Sequence, residues 1–218
     1  MGYRAVLFDV DGTIIDTTDA IISSLKRVLM EFTSIEYSEE ELYVSMGITG
    51  SMTMDIFGVA EKDKAIKLWD RYFLQQYDKV SFFPGVRETL DSIKEMGFLT
   101  GIVTSKTRHE LSSEKILDEV RDDFDVIVCA DDAKRPKPNP DPVLKAMEIL
   151  SVKSKECIYI GDSLYDLLAA RSAGVSFGVA VWGSKKPEKL FELDPEHVFS
   201  DPREIVDLLK AGAANGGN

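Results

Sequence analysis

"VLFDVDGTIID", residues 6–16, decides how the rest of the chain is read. Its apolar start suits a buried strand, yet the run stops on Asp9 and Asp11 and then turns on Gly12. Side chains two apart on a strand point to the same side, so the spacing predicts two carboxylates in one neighbourhood. Like charges held that close repel, and one pKa rises unless a cation lies between them. A divalent ion that favours hard oxygen ligands, such as Mg²⁺, resolves the repulsion. The plainer alternative is an acidic turn, with Asp11 capping the loop.

Working outward, short apolar runs alternate with helical patterns. The strand candidates are "AVLFDV", "LTGIVTS", "FDVIVCA", "CIYIGD", "VSFGVAVW" and "HVFS". Between them lie amphipathic stretches such as "VRETLDSIKEMG", with Val86, Leu90, Ile93 and Met96 on one face. "NPDPVLKAMEIL" predicts a helix capped by Asp141 with Pro142 in its first turn, and "SDPREIVDLLK" repeats the device with Asp201, Pro202 and Glu204. This alternation predicts an α/β fold, a Rossmann-like parallel sheet covered by helices on both faces, whose ligands bind at the carboxyl ends of the strands.

The alternation breaks once. From Thr17 to Lys79 only helical stretches occur, and Ser38 with Glu41 reads as a capping box before one of them. "SFFPGV", residues 81–86, returns the chain to the alternating pattern. The expected division is a core of residues 1–16 and 81–218 with a helical cap of residues 17–80 inserted over the site like a lid.

Composition narrows the partners. The 218 residues fit one large domain with a small insertion. A net charge of −12 argues against nucleic acid or an anionic membrane as the main partner, so an anionic substrate needs locally placed cations. No apolar run approaches the roughly 18 residues of a membrane span, and the first strand begins too early to leave room for a signal peptide. Cys129 and Cys157 both flank apolar runs, which suits buried reduced thiols and a cytoplasmic protein, monomeric or weakly dimeric. The tail "AGAANGGN" is expected to fray.

Each strand end bordering the presumed site carries chemistry. The second ends in Thr104-Ser105, the third leads into "RPKPNPDP" with Lys137, and the fourth ends in "GDSLYD" with Asp162 and Asp166. Phosphoryl transfer needs this mixture: a carboxylate to attack phosphorus, an acid–base, fixed donors and cations, and a metal. Asp9 suits the nucleophile, Asp11 the acid–base, Thr104 the donor, Lys137 the cation and Asp162 the far-side metal ligand.

"DVDGT", the strand-ending Thr104, Lys137 in "KPNPDP" and "GDSLYD" resemble, in order, the four motifs of the haloacid dehalogenase superfamily. The resemblance runs from residue 5 to about residue 180, and "SFFPGV" is similar to the return hinge of its phosphoglycolate phosphatase and pyrophosphatase-like branch. It implies catalytic Asp9, Asp11, Thr104 and Lys137, phosphate binding by Thr104, Ser105 and Lys137, and Mg²⁺ held by Asp9, the backbone carbonyl of Asp11 and Asp162. Asp166 then ligates the metal directly, supports it through water or hydrogen bonds, or only favours a helix N-terminus. The function implied is hydrolysis of a small, phosphoglycolate-like phosphomonoester through an aspartyl-phosphate. A β-phosphoglucomutase-like phosphomutase and a pyrophosphatase share the motifs, whereas Asp11 disfavours dehalogenation because that reaction has no alkoxide to protonate.

Other residues have plainer explanations. His109 and His197 lie outside the motifs. Trp69, Tyr72 and Phe73 suit the cap's own core, while "GITG" at 47–50 lines the cap's face toward the site at most. Lys106 and Arg108 either touch phosphate or belong to a solvated helix start.

Overall fold

The computed structural model describes residues 2–215. Six strands form one parallel sheet in the order β5-β4-β1-β6-β7-β8. The central β1, Ala5–Phe8, pairs with β4, Leu99–Val103, on one side and β6, Cys157–Gly161, on the other. β5 (Val126–Val128), β7 (Ser176–Ala180) and β8 (His197–Phe199) complete it. All six expected strands are present. Chain order runs outward from β1 through β4 to β5, then crosses back to β6, so the direction of winding reverses beside β1. Such a switch point opens a crevice at the strands' carboxyl ends.

Alternating side chains divide the sheet's two faces. Val6 and Phe8 pack with Ile102, Ile158 and Ile160 against α5 (Val86–Glu95) and α10 (Arg203–Asn215). Ala5, Leu7, Val103 and Tyr159 pack on the other face against α7 (Asp141–Leu150) and α8 (Leu164–Ala173). Each large apolar side chain so buried contributes about 1.5–3 kcal/mol. Two short helices, α6 (Arg108–Ser112) and α9 (Pro187–Phe191), border the core.

The insertion carries its own apolar cluster. Ile22, Leu25, Val28 and Leu29 of α1 (Thr18–Thr33) share a face that meets Leu42 of α2 (Glu39–Leu42), Met54 of α3 (Gly50–Ile56) and Ala65 of α4 (Lys62–Leu74). The Ser38–Glu41 capping box is present. The two connections to the core are not separate links, however. β2 (Ile15–Asp16) pairs antiparallel with β3 (Ser81–Phe82) as a short ribbon.

Three further expectations change. Pro140, not Asp141, is the N-cap of α7; Asp141 is the first helical residue and pairs with Arg135. α10 continues through Asn215, so most of the expected frayed tail is helical, and residues 216–218 lie outside the described residues. Finally, β1 ends at Phe8, one residue before Asp9. Among the described residues no helix is long and apolar enough to cross a membrane. Cys129 and Cys157 are buried and free.

Candidate active site

β1 stops at Phe8, but the Asp9 N–H still bonds the Ile160 carbonyl of β6 at 2.9 Å, so Asp9 sits at the strand's very end and Asp11 in the turn that follows. Gly12 makes that turn at φ 81°, where other residues are strained. A Cβ there would also stand 2.3 Å from Asp162 Oδ2, so Gly12 lets two loops close on each other. The two carboxylates diverge. Asp9 turns down toward β4 and β6, and Asp11 accepts from Thr17 Oγ1 at 2.7 Å and pairs with Lys106 Nζ at 3.3 Å. Lys106 thus neutralises part of the Asp11 charge, while the Asp11 charge still adds to the upward push on the Asp9 pKa.

Beneath Asp9 lies a fully buried ion cluster. Lys137 Nζ donates to Asp9 Oδ1 at 2.9 Å, to Asp166 Oδ1 at 2.6 Å and to Tyr159 Oη at 3.0 Å. The Tyr159 hydroxyl also lies 2.9 Å from Asp166 Oδ1 and 2.8 Å from the Val103 carbonyl oxygen. Burial pushes the Asp9 carboxyl up to about 7; the Asp166 charge adds to this and Lys137 opposes it. Burial also holds Asp162 well above the ordinary carboxylate range, reinforced by Asp166 and Asp9. Burial works against the charge of Lys137, but Asp166 and Asp9 outweigh it and raise its pKa.

Asp166 is placed by its helix. Ser163 is the N-cap of α8 and Asp166 is the third helical residue, with Oδ2 accepting from the Ser163 backbone N–H at 3.1 Å and from Ser163 Oγ at 2.5 Å. Its other oxygen meets Lys137 and Tyr159, so both are committed to protein donors. A supporting role fits this better than direct ligation. Asp162 projects from the turn before the helix, where Oδ1 accepts from Thr13 Oγ1 at 3.2 Å.

Carboxylate oxygens of Asp9, Asp162 and Asp166 lie within 4.8 Å of one another. Three buried carboxylates with one lysine, bound to Asp9 and Asp166 but not to Asp162, suit a divalent cation such as Mg²⁺, because a bound cation offsets charge that burial otherwise penalises.

Thr104 is buried at the end of β4, and its Oγ1 accepts from the Lys106 backbone N–H at 3.1 Å, which leaves the hydroxyl proton free to donate. Ser105, the next residue, lines a cavity between the core sheet and the insertion. Its hydroxyl donates to the Gly47 carbonyl of the insertion at 2.7 Å.

Three further site residues come from the structure. Lys106, for which the sequence leaves a phosphate contact and a solvated helix start equally open, lies between Asp11 and Glu114, 2.6 Å from Glu114 Oε1 and 4.8 Å from the centre of the Phe73 ring. Glu114, 1% exposed, is held above its ordinary pKa by burial, against the pull of Lys106. Tyr159 is the third. Arg108 leaves the site and pairs with Asp132 on the surface.

Above the cluster sits a cavity of about 130 Å³ between core and insertion. Asp9, Asp11, Ser105 and Lys106 line one end of it. Gly47, Ile48 and Gly50 of "GITG" line it from the insertion with Trp69 and Phe73, and His109 of α6 lines it too. Trp69 nevertheless packs as cap core too, since its Nε1 donates to Ser24 Oγ and the Ile21 carbonyl. Tyr72 bonds Glu31 within the cap, and His197 meets the Tyr3 hydroxyl on the far edge of the sheet.

Residues 6–180 match the family model of the haloacid dehalogenase-like hydrolases. A protein of Caldanaerobacter subterraneus subsp. tengcongensis named "Putative pyrophosphatase PpaX" is 35% identical over 211 residues, covering 96% of either chain. Pyrophosphatase PpaX of Bacillus mycoides is 30% identical over 96% of this chain and 98% of its own. The crystal structure of a "putative phosphoglycolate phosphatase" from Lactobacillus plantarum superposes with a TM-score of 0.85 at 29% identity, over 95% of this chain and 100% of that one.

Proposed function

The chain belongs to the haloacid dehalogenase-like hydrolases, and on that premise we propose that it is a Mg²⁺-dependent phosphatase that cleaves a small phosphorylated metabolite through an aspartyl-phosphate. One observation supports this most directly: Lys137 fixes Asp9 at the floor of the cavity while Asp11 faces the same cavity from a separate anchor.

Lys137 holds Asp9 Oδ1, which leaves Oδ2 as the nucleophile. Oδ2 forms a bond to phosphorus as the bond to the leaving oxygen breaks. Asp11, protonated for this step, gives its proton to the departing alkoxide. As a carboxylate it then takes a proton from the water that attacks the aspartyl-phosphate, releasing inorganic phosphate and regenerating the Asp9 carboxylate. The Thr104 hydroxyl and the Lys137 ammonium meet the phosphoryl oxygens as preorganised positive groups. Asp9, the Asp11 carbonyl and Asp162 would hold Mg²⁺, which supplies charge that offsets the phosphoryl group and the carboxylates. Asp166 keeps Lys137 in place.

In this account residues 17–80 form the cap and residues 1–16 with 81–218 the core, and the cap rocks on the β2–β3 ribbon to admit substrate and expel bulk water. Buried free thiols suit the cytoplasm. The relatives' names put a phosphoglycolate-like monoester and pyrophosphate first among candidate substrates.

The test is a panel of phosphorylated metabolites with Mg²⁺, following free phosphate. A sugar phosphate offered with its bisphosphate is included, and its isomer is measured in parallel. Free phosphate from at least one ester, abolished in Asp9→Asn, supports the proposal. Isomer formed many times faster than phosphate makes the protein a mutase instead.

A further inference from the structure

The cavity has two unlike ends. Asp9 and Asp11 line its floor, whereas the rest of its lining combines the insertion's apolar Ile21, Met46 and Trp69 with two carboxylates, Asp70 of α4 and Glu110 of α6. Lys106 is the one lysine or arginine among the lining residues, and Asp11 and Glu114 already engage it. The Glu110 carboxylate accepts from the Thr107 backbone N–H and hydroxyl, which are neutral groups. Asp70 has no hydrogen bond or ion pair among the described residues; it is half-buried, and burial and neighbouring Glu110 penalise its charge against the smaller pull of His109 and Lys106. His109 lies beside them.

We infer that the substrate's leaving group carries no negative charge and presents a donor, an ammonium or a hydroxyl, to Asp70. This rests on the phosphatase reading above and sets the cavity's chemistry against the two substrates that the relatives' names suggest, phosphoglycolate and pyrophosphate. A second phosphate or a carboxylate at this end meets two acidic side chains across apolar walls, where repulsion is poorly screened. No uncommitted lysine or arginine lines the cavity to offset it. An ammonium or hydroxyl gives Asp70 the partner it lacks, and short methylene chains suit the apolar lining. The indole N–H of Trp69 is spent on α1, so that residue offers the cavity hydrocarbon rather than a donor. Discrimination then comes from a repulsive wall as much as from an attractive contact.

The experiment compares kcat/KM for 2-aminoethyl phosphate, glycerol 1-phosphate, phosphoglycolate and pyrophosphate, with 4-nitrophenyl phosphate as the reference ester. The expected result is that the aminoethyl or glycerol ester exceeds both phosphoglycolate and pyrophosphate by about tenfold or more. Asp70→Asn narrows that ratio, and Asp70→Lys shifts it toward phosphoglycolate; a ratio within one protein is insensitive to partial misfolding. Preference for pyrophosphate or phosphoglycolate, or a ratio that Asp70 variants leave untouched, overturns the inference while the phosphatase reading stands. Failure to cleave any ester, 4-nitrophenyl phosphate included, overturns the phosphatase reading and this inference with it.

Discussion

Replacing Asp11 by Asn separates proton transfer from nucleophilic attack. The substitution keeps the side chain's shape and an oxygen for the Thr17 hydroxyl at 2.7 Å. It removes the charge that faces Lys106 at 3.3 Å, but Lys106 keeps Glu114 at 2.6 Å. The Coulomb term lost is about 5 kcal/mol at an effective dielectric constant near 20. Relief of the Asp11–Glu114 repulsion and the smaller desolvation cost of a neutral side chain offset much of it. The protein should therefore fold, with a melting temperature close to that of the parent. Loss of a general acid costs about 10²–10⁴-fold, or roughly 3–5 kcal/mol of barrier. The cost depends on the leaving group. An alkoxide needs the proton, whereas 4-nitrophenolate departs without it. The informative quantity is kcat/KM, which reports steps through departure of the leaving group and not the later attack of water. For an alkyl phosphate it should fall about 10²-fold or more, and for 4-nitrophenyl phosphate by about tenfold at most. Equal losses for the two esters, or no loss for the alkyl ester, would refute the acid–base assignment.

Other perturbations act on the buried cluster. Lys137→Met strands Asp9 and Asp166 without their shared cation and should cost about 3–5 kcal/mol of stability, read by urea unfolding; adding Asp166→Asn should recover part of it. Gly12→Ala should cost about 1–2 kcal/mol for the left-handed backbone and weaken Mg²⁺ binding by pushing against Asp162, read by calorimetric titration. In chelator, the melting temperature should fall as pH rises from about 5 to about 8. The sign follows from Asp9, whose folded pKa of about 7 exceeds its unfolded value, so its contribution is present in acid and lost as the carboxyl ionises. Saturating Mg²⁺ should flatten this fall, because the metal binds the ionised carboxylates.

Most of the sheet was legible because its strands are continuous apolar runs, a signal that needs no tertiary information. The boundary at Phe8 was not, since alternation extrapolates through Asp9, and only the turn on Gly12 shows that the strand has ended. The β2–β3 ribbon is two residues per strand, too short for any period. Asp162 and Asp166 were legible as a pair, and the Ser163-x-x-Asp166 capping pattern distinguishes them: one projects from the turn, the other is tied to the helix start. The sequence left Lys106 undecided between the site and a solvated helix start, because its partners come from Glu114 in a later turn and Phe73 in the insertion. Its place directly after Thr104-Ser105 was the available signal. Tyr159 reads as an ordinary strand residue in "CIYIGD", and its hydroxyl matters only because β6 lies beside β1 and under Lys137.

The central claim is that Asp9 becomes phosphorylated. Enzyme mixed with substrate and Mg²⁺, quenched in acid within the turnover time and digested with trypsin, tests it by mass spectrometry of the peptide spanning residues 5–26. That peptide should gain the mass of one phosphoryl group, lose it in mild base, and show the modification on Asp9 after fragmentation. Its yield should rise in Asp11→Asn when 4-nitrophenyl phosphate is the substrate, because attack by water is then slowed. Free phosphate released while this peptide stays unmodified in both proteins would contradict the account.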